Sequence, residues 1–137
     1  MVSVDKEYEF VSAQVRFHID KIFDSFKLFI QLFSAIVGGS IWLSLQPNMV
    51  AKAHTYAAIS NALVMLIAAL CLVMVVEHNR AWRGNRKAQT RLGGKDETGK
   101  DRIPPPGSWR SSSTEIAMGL TVVAAVYLFW RYNPFTI

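Results

Sequence analysis

The chain has 137 residues, 51% of them hydrophobic and 18% charged, with a formal net charge of +5. That length leaves room for one domain, and so apolar a composition, with positive mean hydropathy, excludes an ordinary soluble domain of the same size. The apolar residues concentrate in three runs, 28–45, 56–76 and 116–130, which as helices span about 27, 31 and 22 Å against a hydrocarbon core of about 30 Å. Lipid offers the backbone no hydrogen-bond partners, so each run is read as helix. The fold class expected is all-α: an integral membrane protein with three transmembrane helices, the first preceded by an amphipathic cytoplasmic helix.

Residues 1–27 are the amphipathic helix. Tyr8, Val11, Val15, His18 or Ile19, Ile22 and Phe26 recur at steps of three and four, the spacing of one helical face. The other side mixes Asp5, Glu7, Glu9, Asp20 and Asp24 with Lys6, Arg16, Lys21 and Lys27. Helices that lie on lipid are usually strongly basic on their polar face, so five acids against four bases favour packing on protein. Tyr8, Val11, Val15 and Ile22 are therefore expected to contact a partner, either the basic segment after residue 76 or another subunit. A cleaved signal would need an apolar stretch close to the start, so the chain is expected to keep these residues.

No proline or glycine interrupts residues 2–37, which predicts one helix running into a first transmembrane segment at 28–46. That segment holds small residues four apart, Ser34 with Gly38, Ala35 with Gly39, and Ser40 with Ser44. Such rows let helices approach closely where lipid provides no hydrophobic drive. Gln46-Pro47-Asn48 stops the helix and turns the chain, with Pro47 expected to open the next helix.

The second transmembrane helix is expected at 54–77, with a helical extension to about residue 92, where Gly93-Gly94 is the first strong stop. Asn61 should lie at the depth of Ser40 in an antiparallel pair and hydrogen-bond across it. Cys71, the single cysteine, behaves there as a small apolar residue. Arg80, Arg83, Arg86, Lys87 and Arg91 on the extension are expected to meet anionic lipid headgroups, each contributing about 1 kcal/mol near the surface.

Residues 93–113 read as a cytoplasmic loop, rich in glycine and charge and containing Pro104-Pro105-Pro106-Gly107, a stiff spacer. Ser112 to Glu115 fits a capping box opening the third transmembrane helix, 115–132. Ala117, Thr121 and Ala125 form its small-residue row, and Tyr127, Trp130, Arg131 and Tyr132 are anchors suited to headgroup depth. The three spans show no internal repeat.

Lys and Arg number four before the first span, one (Lys52) in the first loop, nine from Arg80 to Arg110, and one (Arg131) in the tail. Positive residues are retained on the cytoplasmic side, so the amino terminus and residues 80–110 are expected inside. The charge reports topology; without a recognisable motif, nucleic-acid binding is not expected.

Chemistry is sparse. Residues 94–100 match a phosphate loop in spacing, but Asp101 stands where the hydroxyl for magnesium is needed, and no strand precedes. The three histidines fall in different segments and none lies mid-span, so neither a metal nor a haem is expected. Cys71 has no base nearby in sequence. Glu77, His78 and Glu115 could approach at the inner interface, but capping by Glu115 and pairing of Glu77 with Arg80 account for them. No catalytic residue, cofactor or metal is thus expected. The expected role is a non-enzymatic accessory or structural subunit of a larger homo- or hetero-oligomeric membrane complex, acting by helix packing, with other membrane proteins or itself and lipids as partners. The alternative is a small oligomeric channel or membrane-perturbing effector. The expected location is the bacterial inner membrane, or else an organellar inner membrane.

Overall fold

The computed structural model describes residues 3–107 and 113–136. It contains three α-helices, α1 (Val4–Ser44), α2 (Ala53–Gly93) and α3 (Ser113–Arg131), with a 3-10 turn at Val50–Lys52. All three are long and apolar enough to cross a membrane. Their 41, 41 and 19 residues correspond to lengths of about 61, 61 and 28 Å.

Helix α1 begins where Ser3 accepts the Lys6 backbone N–H at 3.4 Å, and Asp5 and Glu7 in its first turn suit the positive end of the helix dipole. It then runs unbroken to Ser44. The reversal that follows departs from the sequence expectation at one point. Pro47 lies in the turn, bracketed by the hydrogen bonds Gln46 N–H to Leu43 O (3.0 Å) and Met49 N–H to Gln46 O (3.1 Å), and α2 starts only at Ala53. A proline forces its predecessor out of helical geometry, so the chain spends these residues reversing direction before a new helix can align on α1.

α1 and α2 form an antiparallel hairpin over nearly their whole length, from Ser40 and Ala57 near the turn to Ser12 and Gln89 at the far end. The residues of their shared face follow a repeat of seven, buried except for the half-buried His18, His78 and Trp82. On α1 the series are 11-18-25 and 15-22-29; on α2 they are 57-64-71-78 and 68-75-82-89. This is the seam of a left-handed pair.

α3 covers only the half of the hairpin nearest the turn. Met118, Val122 and Phe129 are its buried positions; Met118 and Val122 join Ile22, Phe29, Ala68, Cys71 and Val75 in one apolar core, and Phe129 stands edge-on to Phe33 at 6.0 Å. Gly119 faces α2, where a Cβ would meet Leu72 Cδ2 at an ordinary contact distance of 4.0 Å.

The link from α2 folds back on that helix. Thr90 Oγ1 lies 3.3 Å from Pro104 O, and a Cβ on Gly93 would come within 2.7 Å of Ile103 Cδ1. Gly94 turns at φ +68°, the left-handed region that glycine enters freely, and its carbonyl accepts Arg102 N–H at 3.0 Å. Ser112 of the capping pattern, and Arg110, lie outside the described residues.

Candidate functional site

The polar groups of the molecule gather at the two ends of the hairpin. Near the turn, Asn133 is fully buried just past the end of α3. Its Nδ2 donates to Asn61 Oδ1 (2.9 Å) and Ser60 Oγ (3.1 Å), with Ala57 O at 3.5 Å, while its Oδ1 accepts Phe135 N–H at 3.0 Å. Tyr56 stacks on Phe135 at 5.7 Å. Asn61 is thus served by Asn133 rather than by Ser40, which is buried in the seam. The sequence expectation ends the last helix at 132 and passes over Asn133. Asn-Pro after a helix is a turn signal, and nothing in it marks burial.

In the core between the ends, Ser25 Oγ donates to Lys21 O at 2.7 Å, and Cys71 Sγ lies 3.7 Å from Ser25 O. The first bond is local to α1, and the second joins α2 to α1 across the seam.

At the far end, α2 covers the α1 stripe. Val11, Val15 and Ile22 are buried and Tyr8 is half-buried. Beside them Gln89 Nε2 donates to Ser12 Oγ (2.9 Å), and Arg86 Nη1 donates to Gln89 Oε1 (2.6 Å). Arg86 is therefore engaged inside the hairpin, Arg83 is half-buried, and Arg80, Lys87 and Arg91 are exposed, Arg80 lying 3.4 Å from Glu77. His18 and His78 meet here, with 3.0 Å between their Nδ1 atoms, although their segments are 60 residues apart. Nearby, Asn79 Oδ1 and Trp82 Nε1 are buried with no hydrogen-bond partner.

The small residues of the spans divide. Ala125 packs on the core, while Ala117 and Thr121 face outward, Thr121 Oγ1 returning to Ala117 O at 2.8 Å. Ser34 and Ala35 are exposed, and a Cβ on Gly38 or Gly39 would have nothing within 4 Å. Within the chain, α3 packs through its bulky positions 118, 122 and 129, because those follow the seam. A groove of about 680 Å³ between α2 and α3 is lined by apolar residues such as Met65, Leu72 and Val123, with Asn61 and Trp130 also on its wall.

The phosphate-loop spacing folds into a closed turn. The Asp96 carboxylate accepts Thr98 Oγ1–H (2.7 Å) and the N–H groups of Thr98 (2.8 Å) and Lys100 (2.9 Å). The Thr98 hydroxyl, followed by the Lys100 amide, holds the Asp96 carboxyl below its ordinary value. The carboxylate occupies the backbone N–H groups that a phosphate would need. Among the described residues no group of three or more His, Cys, Asp or Glu is placed to hold a metal ion. Comparison with protein-family models, curated proteins and solved structures finds no match.

Proposed function

We propose that the chain is a three-span accessory subunit of a membrane complex, inserted with its amino terminus and residues 80–110 on the cytoplasmic side of a bacterial inner membrane. It works without catalysis, by presenting helix surfaces to other membrane proteins or to further copies of itself. The observation that carries this reading is the face of Ser34, Ala35, Gly38 and Gly39, which stays open at both glycines while α2 covers a different face of α1. Lipid covers exposed leucines and valines without cost, so they do not discriminate. A small-residue face gains most from a close helix backbone.

The open face also separates the partner surface from the stripe of Tyr8, Val11, Val15 and Ile22, which α2 already occupies. Lipid contact by the basic extension contracts for a similar reason. If the bilayer edge lies at Val76, a continuous helix puts Arg91 about 22 Å away, beyond a Debye length of about 8 Å. Headgroup attraction then falls mainly to Arg80, about 6 Å away.

Gly38→Leu should leave insertion and helix content unchanged and remove the partner, or the self-assembled state, from material extracted in mild detergent. Unchanged native size and copurifying proteins would sink the reading. Orientation is checked separately with single cysteines at Lys52 and Lys95 in a Cys71→Ala background. An impermeant thiol reagent on intact cells should label position 52 and spare position 95.

A further inference from the structure

The seam repeats place His18 in the series 11-18-25 and His78 in the series 57-64-71-78. Their companions there, Val11, Ser25, Ala57, Val64 and Cys71, are all buried and either apolar or small. Two half-buried imidazoles thus stand opposite each other in series whose other members carry no charge. Their rings are 5.3 Å apart at 42°, and Phe17 packs edge-on to both, at 5.4 Å from His18 and 6.5 Å from His78.

We propose that His18 and His78 form a binding site for a divalent transition metal ion, zinc(II) or copper(II), held by the two Nδ1 atoms and bridging α1 to α2. Metal to imidazole bonds of about 2.0–2.1 Å at angles between a right angle and the tetrahedral value set the two nitrogens about 2.9–3.4 Å apart. The observed separation is 3.0 Å, so an ion can replace the hydrogen bond once the donor imidazole gives up its Nδ1 proton and is protonated at Nε2 instead, which leaves both Nδ1 lone pairs for the metal. A pair of imidazoles selects zinc and copper over calcium or magnesium, which take oxygen ligands.

The second observation is independent of the pair. Asn79 is adjacent to His78 and Trp82 is one turn further along, and both hold a buried polar atom without a partner. Buried polar groups in folded proteins are almost always satisfied by protein, water or an ion. A hydrated ion on the two histidines brings water that both donates and accepts. No third His, Cys, Asp or Glu joins the pair among the described residues, so solvent completes the coordination and the ion exchanges readily. Glu77, the neighbouring acid, is exposed and lies against Arg80.

The test uses the full untagged chain in detergent, titrated separately with zinc(II) and copper(II), with magnesium as a control. One zinc or copper ion should bind per chain, the thermal midpoint should rise with its concentration, and magnesium should do neither. His18→Ala and His78→Ala should each weaken binding at least about tenfold, while His54→Ala, exposed at the other end of α2, should bind as the unsubstituted chain. The copper(II) spin-resonance spectrum of the unsubstituted chain should show hyperfine structure from two imidazole nitrogens, and this reading does not depend on how the variants fold. Absence of that structure, a stoichiometry well below one, or equal affinity in the His18 and His78 variants would overturn the site.

Discussion

The half of the hairpin nearest the turn and the half farthest from it share two helices but not a way of being held together. Near the turn a third helix joins, and Ile22, Phe29, Ala68, Cys71, Val75, Met118 and Val122 close a core with no charged member. At the far end α1 and α2 face each other alone, through Val11, Val15, the His18–His78 contact and the chain Arg86–Gln89–Ser12. Where the surroundings are lipid, burying a leucine against a helix gains only contact, because the tail it leaves is equally apolar. Where they are water, each buried aliphatic side chain contributes about 1.5–3 kcal/mol. On the proposed placement, with the far end in water and the near end in lipid, two helices therefore suffice at the far end. The near end instead uses close packing, a third helix and a buried amide.

The most severe way to break the comparison is Val11→Asp with Val15→Asp. A carboxylate left unpaired in the seam costs more than the about 2–7 kcal/mol of an unpaired neutral polar group, so it must take up a proton or force the seam open, and the far half should separate while the near half stays folded. Limited proteolysis should then cut within residues 77–93 in the variant and spare the original. Equal resistance in both would show that the far seam holds the helices only weakly.

A smaller effect is expected at the opposite end from Asn133→Ala. The change strands Asn61 Oδ1, leaves Ser60 Oγ with only its bond to Ala57 O and removes the bond to Phe135 N–H, for a loss of about 1–2 kcal/mol. Reversible unfolding in detergent should show that loss, with faster hydrogen exchange confined to residues after 130. A loss no larger than that of the exposed Thr136→Ala would mean that the buried amide adds nothing beyond packing.

The mildest test concerns the link, which belongs to neither half. Asp96 is held below its ordinary carboxyl value in the folded turn, so its contribution is present above the unfolded value and fades as pH falls through the lower, folded one. Measured against the intrinsic exchange rate at each pH, the amide hydrogens of the turn at residues 94–101 should be protected at neutral pH and lose that protection in acid below the ordinary carboxyl range, and Asp96→Asn should be unprotected at both. A turn indifferent to pH and to this substitution would place the order in Gly94 and Gly99, both at positive φ, instead of in the carboxylate.

Much of the architecture is legible in the amino-acid sequence. The three runs of apolar residues, the missing breakers between residues 2 and 37, and the Gly93-Gly94 stop are local signals, and local backbone chemistry decides where a helix can persist. The seven-residue spacing of Val11, His18 and Ser25 is a local signal too, although it does not distinguish the two-helix region from the three-helix one.

What only the tertiary structure decided is which groups meet. Asn61 found Asn133 across 72 residues because α3 ends level with the start of α2, a register set by side-chain interlock and invisible in either segment alone. Ala117 and Thr121 carry the small-residue spacing yet face outward, since α3 turns its Met118, Val122 and Phe129 to the seam. The histidines show the same limit. Along the chain His18 and His78 stand in separate segments, and only the antiparallel alignment of two helices, each about 61 Å long, brought their Nδ1 atoms to 3.0 Å. Periodicity specifies a face, but the depth at which two faces pair depends on the sum of many small contacts along both.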